Sequence, residues 1–188
     1  MPMYSLTLPP GNYHVRTTSN TQGYIHQAFG VGNCPDAVTC PRYLGTIVTV
    51  PDGGVAPPVD FSMPLGARIS GNVTRSDTSA NVASASVVAF NENGFGGGSA
   101  LTDINGNYTI SGLVPGRFRV YALSNSIPAP LFLNEVYNGI ACGDADCLNV
   151  AGSSLITVTG TATTAGIDFT LDPGAASVAG TITESGTS

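Results

Sequence analysis

Residues 101–120 read LTDINGNYTISGLVPGRFRV, and this stretch is the most informative one for predicting the fold class. Asp103-Ile104-Asn105-Gly106 is a hairpin-turn signal, because Asn-Gly adopts positive φ at little cost. Leu113-Val114-Pro115-Gly116 marks a second turn, since proline fixes its own φ and the glycine after it permits a left-handed conformation. The residues between and after these turns include many β-branched and aromatic side chains. The stretch therefore predicts short strands joined by tight turns.

The strand after Gly116 alternates with period 2, which predicts one inner and one outer face. The inner residues are Phe118, Val120 and Ala122, and the outer residues are Arg117, Arg119 and Tyr121. Ile167, Phe169 and Leu171 alternate in the same way. The same pattern predicts strands near 67–74, 85–91, 98–102, 107–111, 117–124, 131–137, 154–159 and 165–171. With no convincing helix, the sequence predicts an all-β sandwich.

The chain also repeats itself, with a period of about 105 to 109 residues. The matching segments are 8–15 with 113–120, 59–67 with 166–175, and 70–74 with 179–183. These offsets predict three parts: residues 1–65 as the C-terminal half of a first unit, 66–174 as a complete unit, and 175–188 as the first strand of a following unit. No signal-peptide pattern is visible at the start, and both ends fall within a unit. We therefore expect a longer tandem array.

Residues 101–120 resemble the carboxypeptidase regulatory-like domain and its relatives, the CnaB-type and SdrD B-type repeats of bacterial surface proteins. The shared pattern is Thr, Asp, any residue, Asn or Asp, Gly, any residue and Tyr, followed by an apolar strand and a Leu-x-Pro-Gly turn. Residues 66–73 resemble the opening strand of the family. The resemblance implies tandem transthyretin-like or immunoglobulin-like β-sandwich repeats of about 108 residues on an exported bacterial protein, extracellular or at the cell surface. It implies no catalysis.

The composition restricts the partners. The chain carries 12 acidic residues, 6 arginines and no lysine, for a net charge of −6. Nucleic acid and anionic membranes are therefore unexpected partners. The most apolar run, 127–133, is short and contains two prolines, so membrane insertion is not expected. The absence of lysine also excludes the internal Lys–Asn isopeptide bond that many CnaB-type domains carry.

Four cysteines form two close pairs at equivalent positions of the repeat, Cys34 with Cys40 and Cys142 with Cys147. This spacing predicts one local disulfide in each unit, which is typical of an oxidising compartment. Zinc is the competing interpretation. It would require four ligands to bridge two units, and neither spacing is a two-residue knuckle.

Calcium has two candidate sites. Asp103 and Asn105 lie on the hairpin turn, and Asp144 and Asp146 lie between the second pair of cysteines. Both supply oxygen ligands on a tight loop, which calcium prefers, but neither has the spacing of an EF-hand. A turn that serves structure alone explains the same residues, so no cofactor is expected, with calcium as the alternative.

No catalytic residues are predicted. The two histidines, His14 and His26, align with Arg119 and Asn134 in the complete unit, so a chemistry built on them could not belong to the repeat. We expect both at ordinary surface positions. The glycine-rich stretch 94–99 lies between predicted strands, with no lysine and no helix after it. It predicts a hairpin loop rather than a phosphate site.

The favoured function is an extracellular structural module that forms a stalk or a self-assembling surface filament. Its partners would be copies of itself or neighbouring repeat units. In one form of this hypothesis, the strand 175–184 of a neighbour completes the open edge of the first unit. The strand-exchange residues would be Ala175, Val178, Gly180 and Ile182. The alternative is an adhesin module that binds a surface glycan or another ligand through exposed aromatic residues. The candidates are Tyr24, Tyr43, Phe95 and Tyr137.

Overall fold

The computed structural model describes residues 4–18, 22–34, 40–124, 132–142, 147 and 151–174. No α-helix occurs in these ranges, and nothing in them forms a helix able to cross a membrane. The strands are β1 (Gly11–His14), β2 (Gln27–Ala28), β3 (Gly32–Asn33), β4 (Ile47–Val50), β5 (Ala67–Arg75), β6 (Ser86–Asn91), β7 (Gly96–Leu101), β8 (Asn107–Leu113), β9 (Gly116–Leu123), β10 (Asn134–Val136), β11 (Ile140–Cys142), β12 (Ile156–Val158), β13 (Thr163–Thr164) and β14 (Phe169–Leu171).

Residues 66–174 form two facing sheets. In the first sheet β9 is central: β6 and then β7 lie on one side, while β10 and β12 share its other edge, with β11 beyond β10. In the second sheet β5 is central, with β8 antiparallel on one side. The short strands β13 and β14 run parallel to β5 along its other side. Each long central strand therefore holds two short strands end to end along one edge.

The main hydrophobic core lies between these two sheets. Alternate residues of β5, β8 and β14 face alternate residues of β6, β9 and β12, as period-2 side-chain alternation requires. The fully buried members include Ile69, Val73, Ile110, Val120 and Leu171. The all-β sandwich predicted from the sequence is confirmed.

The predicted strands are confirmed in placement, with differences in detail. The stretch near 165–171 contains only the three residues of β14, because β13 precedes it and the chain between them is irregular. The strand β11 was not predicted. The glycine-rich stretch was wrongly assigned to a loop beyond residue 95, since Gly96 to Gly98 begin β7. Glycine is needed at position 97 because a Cβ there would overlap the ring of Phe118.

Residues 4–66 repeat the pairing of residues 108–174 without the strands that precede them. Gly11 pairs with Val50 in β1 and β4, as Gly116 pairs with Val158 in β9 and β12. The other corresponding pairs are Gln27 with Asn33 and Glu135 with Ala141, Arg16 with Ala28 and Tyr121 with Val136, and Tyr24 with Leu65 and Phe132 with Pro173. The same backbone register thus occurs twice, with equivalent residues 105 or 108 positions apart. The division of the chain at residues 65 and 174 stays a prediction.

Candidate functional site

Both cysteine pairs form disulfides in the structure. Cys34 is bonded to Cys40 and Cys142 to Cys147, with Cα–Cα distances of 5.3 and 5.1 Å. Each bridge begins at the end of a hairpin, β2–β3 in the first case and β10–β11 in the second. Because every cysteine is bonded, none is free to bind zinc.

Each disulfide covers the outer face of the strand beneath it. Under Cys142–Cys147 lies Tyr121, which is only 1% exposed and packs edge-on against Phe90, with ring centroids 5.5 Å apart. Tyr121 therefore lies on the predicted outer face, and the disulfide loop buries it there. The equivalent residue under Cys34–Cys40 is Arg16. Its guanidinium donates to the carbonyl oxygen of Cys40 at 2.6 Å. A sequence pattern of period 2 cannot reveal this second layer, because the covering loop comes from a distant part of the chain.

A buried carboxylate, missed by the sequence analysis, joins the two sheets. Glu135 on β10 is 6% exposed, and its oxygens accept hydrogen bonds from the backbone N–H groups of Gly139 and Thr170, both at 3.2 Å. Burial raises the pKa of Glu135, and the nearby Asp172 adds to the rise, while the two N–H donors oppose it. The equivalent residue in the first segment is Gln27, whose amide donates to the carbonyl oxygen of Ser62 at 2.9 Å. Both segments thus have a polar link at this position. The side chain is the acceptor at Glu135 and the donor at Gln27.

An open cleft of about 310 Å³ lies beside Glu135. Its polar lining includes Asn134, Glu135, Asn138, Asp168, Thr170 and Asp172. Glu135 and Asp168 both accept backbone hydrogen bonds, Asp168 from the N–H of Asn72 at 2.8 Å. These carboxylates connect strands, and within the described ranges no three His, Cys, Asp or Glu side chains are placed to hold a metal ion.

The turn motif of residues 102–107 has a structural use for its polar side chains. The hydroxyl of Thr102 is buried, accepts from the N–H of Ala85 at 2.8 Å and donates to the carbonyl of Val82 at 2.6 Å. Asp103 accepts from the N–H groups of Asn105 and Asn107 at 2.8 and 2.9 Å. The Asp103 and Asn105 pair is thus brought together as a closed turn, and calcium binding there stays a prediction. Asp144 and Asp146 lie outside the described residues.

The two histidines differ from each other. His14 is exposed at the end of β1, as expected. His26 was expected on the surface but is half-buried, and its Nδ1 is enclosed without a hydrogen-bond partner in the described part of the chain. Its position just before β2 corresponds to the buried Asn134. The same position is therefore at least half-buried in both segments.

The four aromatic candidates for glycan binding belong to separate parts of the fold. Tyr137 packs edge-on against Phe169, 6.1 Å between centroids, and contributes to the core rather than to an exposed platform. Tyr24 forms an isolated bridge with Leu65. Tyr43 is 76% exposed in the loop before β4, and Phe95 lies on the β6–β7 turn. Glycan binding stays a prediction, without a shared aromatic surface to support it.

The sequence and the fold together point to one family for the middle of the chain. Residues 68–129 match the family model of the carboxypeptidase regulatory-like domain. The matched segment contains the whole of β6 to β9, nearly all of β5 and both turns of residues 101–120. The resemblance seen in the sequence is thereby confirmed over about one third of the chain. No significant match occurs among the curated proteins.

Solved structures with similar folds come from bacterial proteins. The major pilin subunit of Bacillus cereus is 12% identical with a TM-score of 0.37, and the match covers 68% of this chain and 36% of that one. The minor pilin of Streptococcus agalactiae is 14% identical with a TM-score of 0.36, covering 93% and 65%. A candidate carbohydrate-binding protein of Bacteroides uniformis is 12% identical with a TM-score of 0.37, covering 57% and 41%. This chain spans less than two thirds of each of them. Likeness at this distance transfers no activity or partner.

Proposed function

We propose that this chain is a structural module of the bacterial cell surface or extracellular space, where copies associate into a stalk or filament. The observation that supports the proposal is the repeated register: the strand pairs of residues 4–66 match those of residues 108–174. A sandwich unit that lacks its first strands has an unpaired sheet edge and uncovered apolar residues. Unpaired edges of this kind promote association.

The chemistry of the described residues supports a structural role over an enzymatic one. The buried side chains of Thr102 and Glu135, and the exposed carboxylate of Asp168, are engaged with backbone groups of other parts of the chain. A general acid or base must instead reach a substrate proton. The two disulfides fit an oxidising, extracellular compartment.

The direction of the chain supports a linear assembly. Leu65 bridges to Tyr24 and leads directly through Gly66 into β5, and Pro173 bridges to Phe132 before residue 175. Leu65 and Pro173 occupy equivalent positions, so the chain leaves both segments at the same place. Copies that associate head to tail form an open filament, unless the rotation between successive copies closes them into a ring.

Negative-stain electron microscopy of the purified chain tests the proposal. Fibres or rods with a regular repeat are expected, together with a large species in size-exclusion chromatography with light scattering. Loss of the fibres after reduction would show that the disulfides maintain the assembly. Loss of the fibres after treatment with a chelator would show that calcium maintains it. A chain that is monomeric at every concentration would contradict self-assembly. It would favour instead a spacer module that acts only within a longer array.

A further inference from the structure

The first segment contains a gap between residues 4–8 and residues 55–63, which we call the open slot. In the complete sandwich the equivalents of these two walls are β8 on one side and β13 with β14 on the other, and all three pair with β5. In the first segment neither wall forms a strand or pairs with the other. A central strand like β5 is the element that is missing between them.

The two walls of the slot are held together by the same contact that spans β5 in the complete sandwich. There, the hydroxyl of Tyr108 on β8 donates to the carbonyl of Ile167 at 2.6 Å, passing across Gly71 of β5. In the first segment the hydroxyl of Tyr4 donates to the carbonyl of Val59. Val59 lies 108 residues before Ile167, so the acceptors are equivalent.

The aromatic rings beside these contacts also have matching geometry. Tyr4 and Phe61 have ring centroids 6.4 Å apart at an angle of 41°, and Tyr108 and Phe169 have centroids 6.3 Å apart at 48°. The pKa of Tyr108 is raised by burial and then by Asp168, and the pKa of Tyr4 is raised by burial and then by Asp60 at the equivalent position. The open slot therefore has the spacing of a strand-filled site.

The side chains of the slot show what a strand would cover. Tyr4 is 56% exposed and Leu6 is 64% exposed, whereas their equivalents Tyr108 and Ile110 are 4% and 0% exposed. Phe61 is half-buried, while Phe169 is 1% exposed. Removing this apolar surface from water favours occupation of the slot by an apolar strand.

The occupant is specified by the sequence of the chain itself. Residues 176–184 read ASVAGTITE and align with β5 at an offset of 109, so that Val178, Gly180 and Ile182 match Ile69, Gly71 and Val73. The glycine is the discriminating residue, because a Cβ at position 71 would overlap the carbonyl of Ile167. A strand that enters the open slot needs glycine where it crosses Tyr4 and Val59.

We propose that the open slot binds residues 176–184 of a second copy of this chain. The inference rests on the proposed self-assembly and specifies its interface. By the register of β5, Gly180 lies opposite Tyr4 and Val178 opposite Leu6 in an antiparallel pair, while Ile182 lies beside Phe61 in a parallel pair. Asp60 accepts the N–H of Thr181, as Asp168 accepts that of Asn72 at 2.8 Å.

A second copy fits better than the same chain because of where the tail starts. Residue 175 follows Gly174 at the exit that corresponds to Gly66, where the chain passes forward into the next sandwich. Gly66 also donates from its N–H to the carbonyl of Gly23 at 2.9 Å, fixing that forward direction. By this equivalence residues 176–184 belong to the unit that follows the complete sandwich, and we assign them to residues 4–65 of a second copy in that place.

A peptide-binding experiment with the full chain tests this interface. The Gly180→Val protein keeps its slot but loses the strand able to fill a neighbour's slot. A fluorescent peptide of residues 175–188 should bind this protein in anisotropy titrations. The same peptide with Gly180→Val should bind about tenfold more weakly or worse, because a bulky side chain is forced against backbone. Gly186→Val lies beyond the predicted register, and the peptide with this change should bind like the unmodified one.

The slot is tested separately with Asp60→Ala and Leu6→Asp proteins that also carry Gly180→Val. Both changes are at exposed positions of the first segment, so the complete sandwich should unfold as before while peptide affinity falls. Equal binding of the two peptides, or no loss with Leu6→Asp, would overturn the inference.

The outcomes for assembly and for the slot are distinguishable. Fibres that persist in Gly180→Val would retain self-assembly but refute this interface. Specific peptide binding by a chain that never forms fibres would retain the interface and refute the filament. A wild-type monomer that excludes the peptide, beside a Gly180→Val monomer that binds it, would place the tail in its own slot and overturn the second-copy assignment.

Discussion

The hydroxyl of Tyr108 donates to the carbonyl of Ile167 across β5, linking β8 to the chain before β14 at 2.6 Å. Tyr108 is 4% exposed, and its ring packs against Phe169 at 6.3 Å. The contact spans the second sheet at Gly71, the residue of β5 that pairs with Tyr108. It therefore couples both edges of the strand on which that sheet is built.

Replacing Tyr108 with phenylalanine should destabilise the complete sandwich. The change removes the donor and leaves the Ile167 carbonyl without it in a buried place, which typically costs about 1–3 kcal/mol. Urea unfolding followed by circular dichroism measures the loss. Tyr4→Phe is the matched control, because Tyr4 makes the equivalent bond while half exposed and should change stability much less. An equal loss in both variants would contradict a specific role for the buried bond.

Gly71 should be intolerant of any side chain. A Cβ there would overlap the Ile167 carbonyl and approach Asp168, so even Gly71→Ala must displace the backbone at Ile167, just before β14, from β5. We expect a loss of about 3 kcal/mol or more, near the upper range of single substitutions. Gly96→Ala is the control, since a Cβ at Gly96 meets nothing within 4 Å. Thermal unfolding of the two variants side by side should separate them by many degrees.

The buried Glu135 should make stability depend on pH. Its folded pKa is raised above the usual value of 4.5 by burial, so the uncharged form is favoured in the folded state. The stabilising contribution is fully present below about pH 4.5 and is lost as pH rises through the raised pKa. The unfolding free energy measured from pH 4 to 8 should fall across this window, and the fall should be absent in Glu135→Gln.

Glu135→Gln should also lose stability at all pH values, because an amide has a single acceptor oxygen for the N–H groups of Gly139 and Thr170. Asp77 provides a comparison of opposite sign, since its hydrogen bond with Arg75 lowers its pKa to about 2. Asp77 is exposed, so its effect should be small and confined to acid. A Glu135→Gln chain that retains the full slope between pH 4 and 8 would show that another group is responsible.

The extent of sequence prediction can be understood from particular residues. Asn105-Gly106 and Pro115-Gly116 constrain the backbone locally, so the turns and the flanking strands β8 and β9 were predictable. The inner residues Phe118, Val120 and Ala122 followed from alternation alone. Tyr121 and Glu135 could not be recognised as buried, because the elements that cover them are distant in sequence. Comparison of Glu135 with Gln27 at the equivalent repeat position was the one available signal for the polar link.

Removing the second disulfide should loosen the layer over Tyr121 while leaving the main core folded. The bridge closes a ring of only a few residues between Cys142 and Cys147, so the chain-entropy contribution is about 2 kcal/mol. Cys142→Ser with Cys147→Ser should therefore lower the unfolding free energy by about that amount. It should also raise hydrogen exchange at β10 and β11 more than at β5, because Tyr121 and Val136 pack beneath the bridge.

Cys34→Ser with Cys40→Ser is the matched control. The first disulfide lies over Arg16, the equivalent of Tyr121, so its removal should leave the exchange at β10 and β11 unchanged. Uniform loss of protection across β5 and β9 in the first double variant would show instead that the bridge supports the whole sandwich.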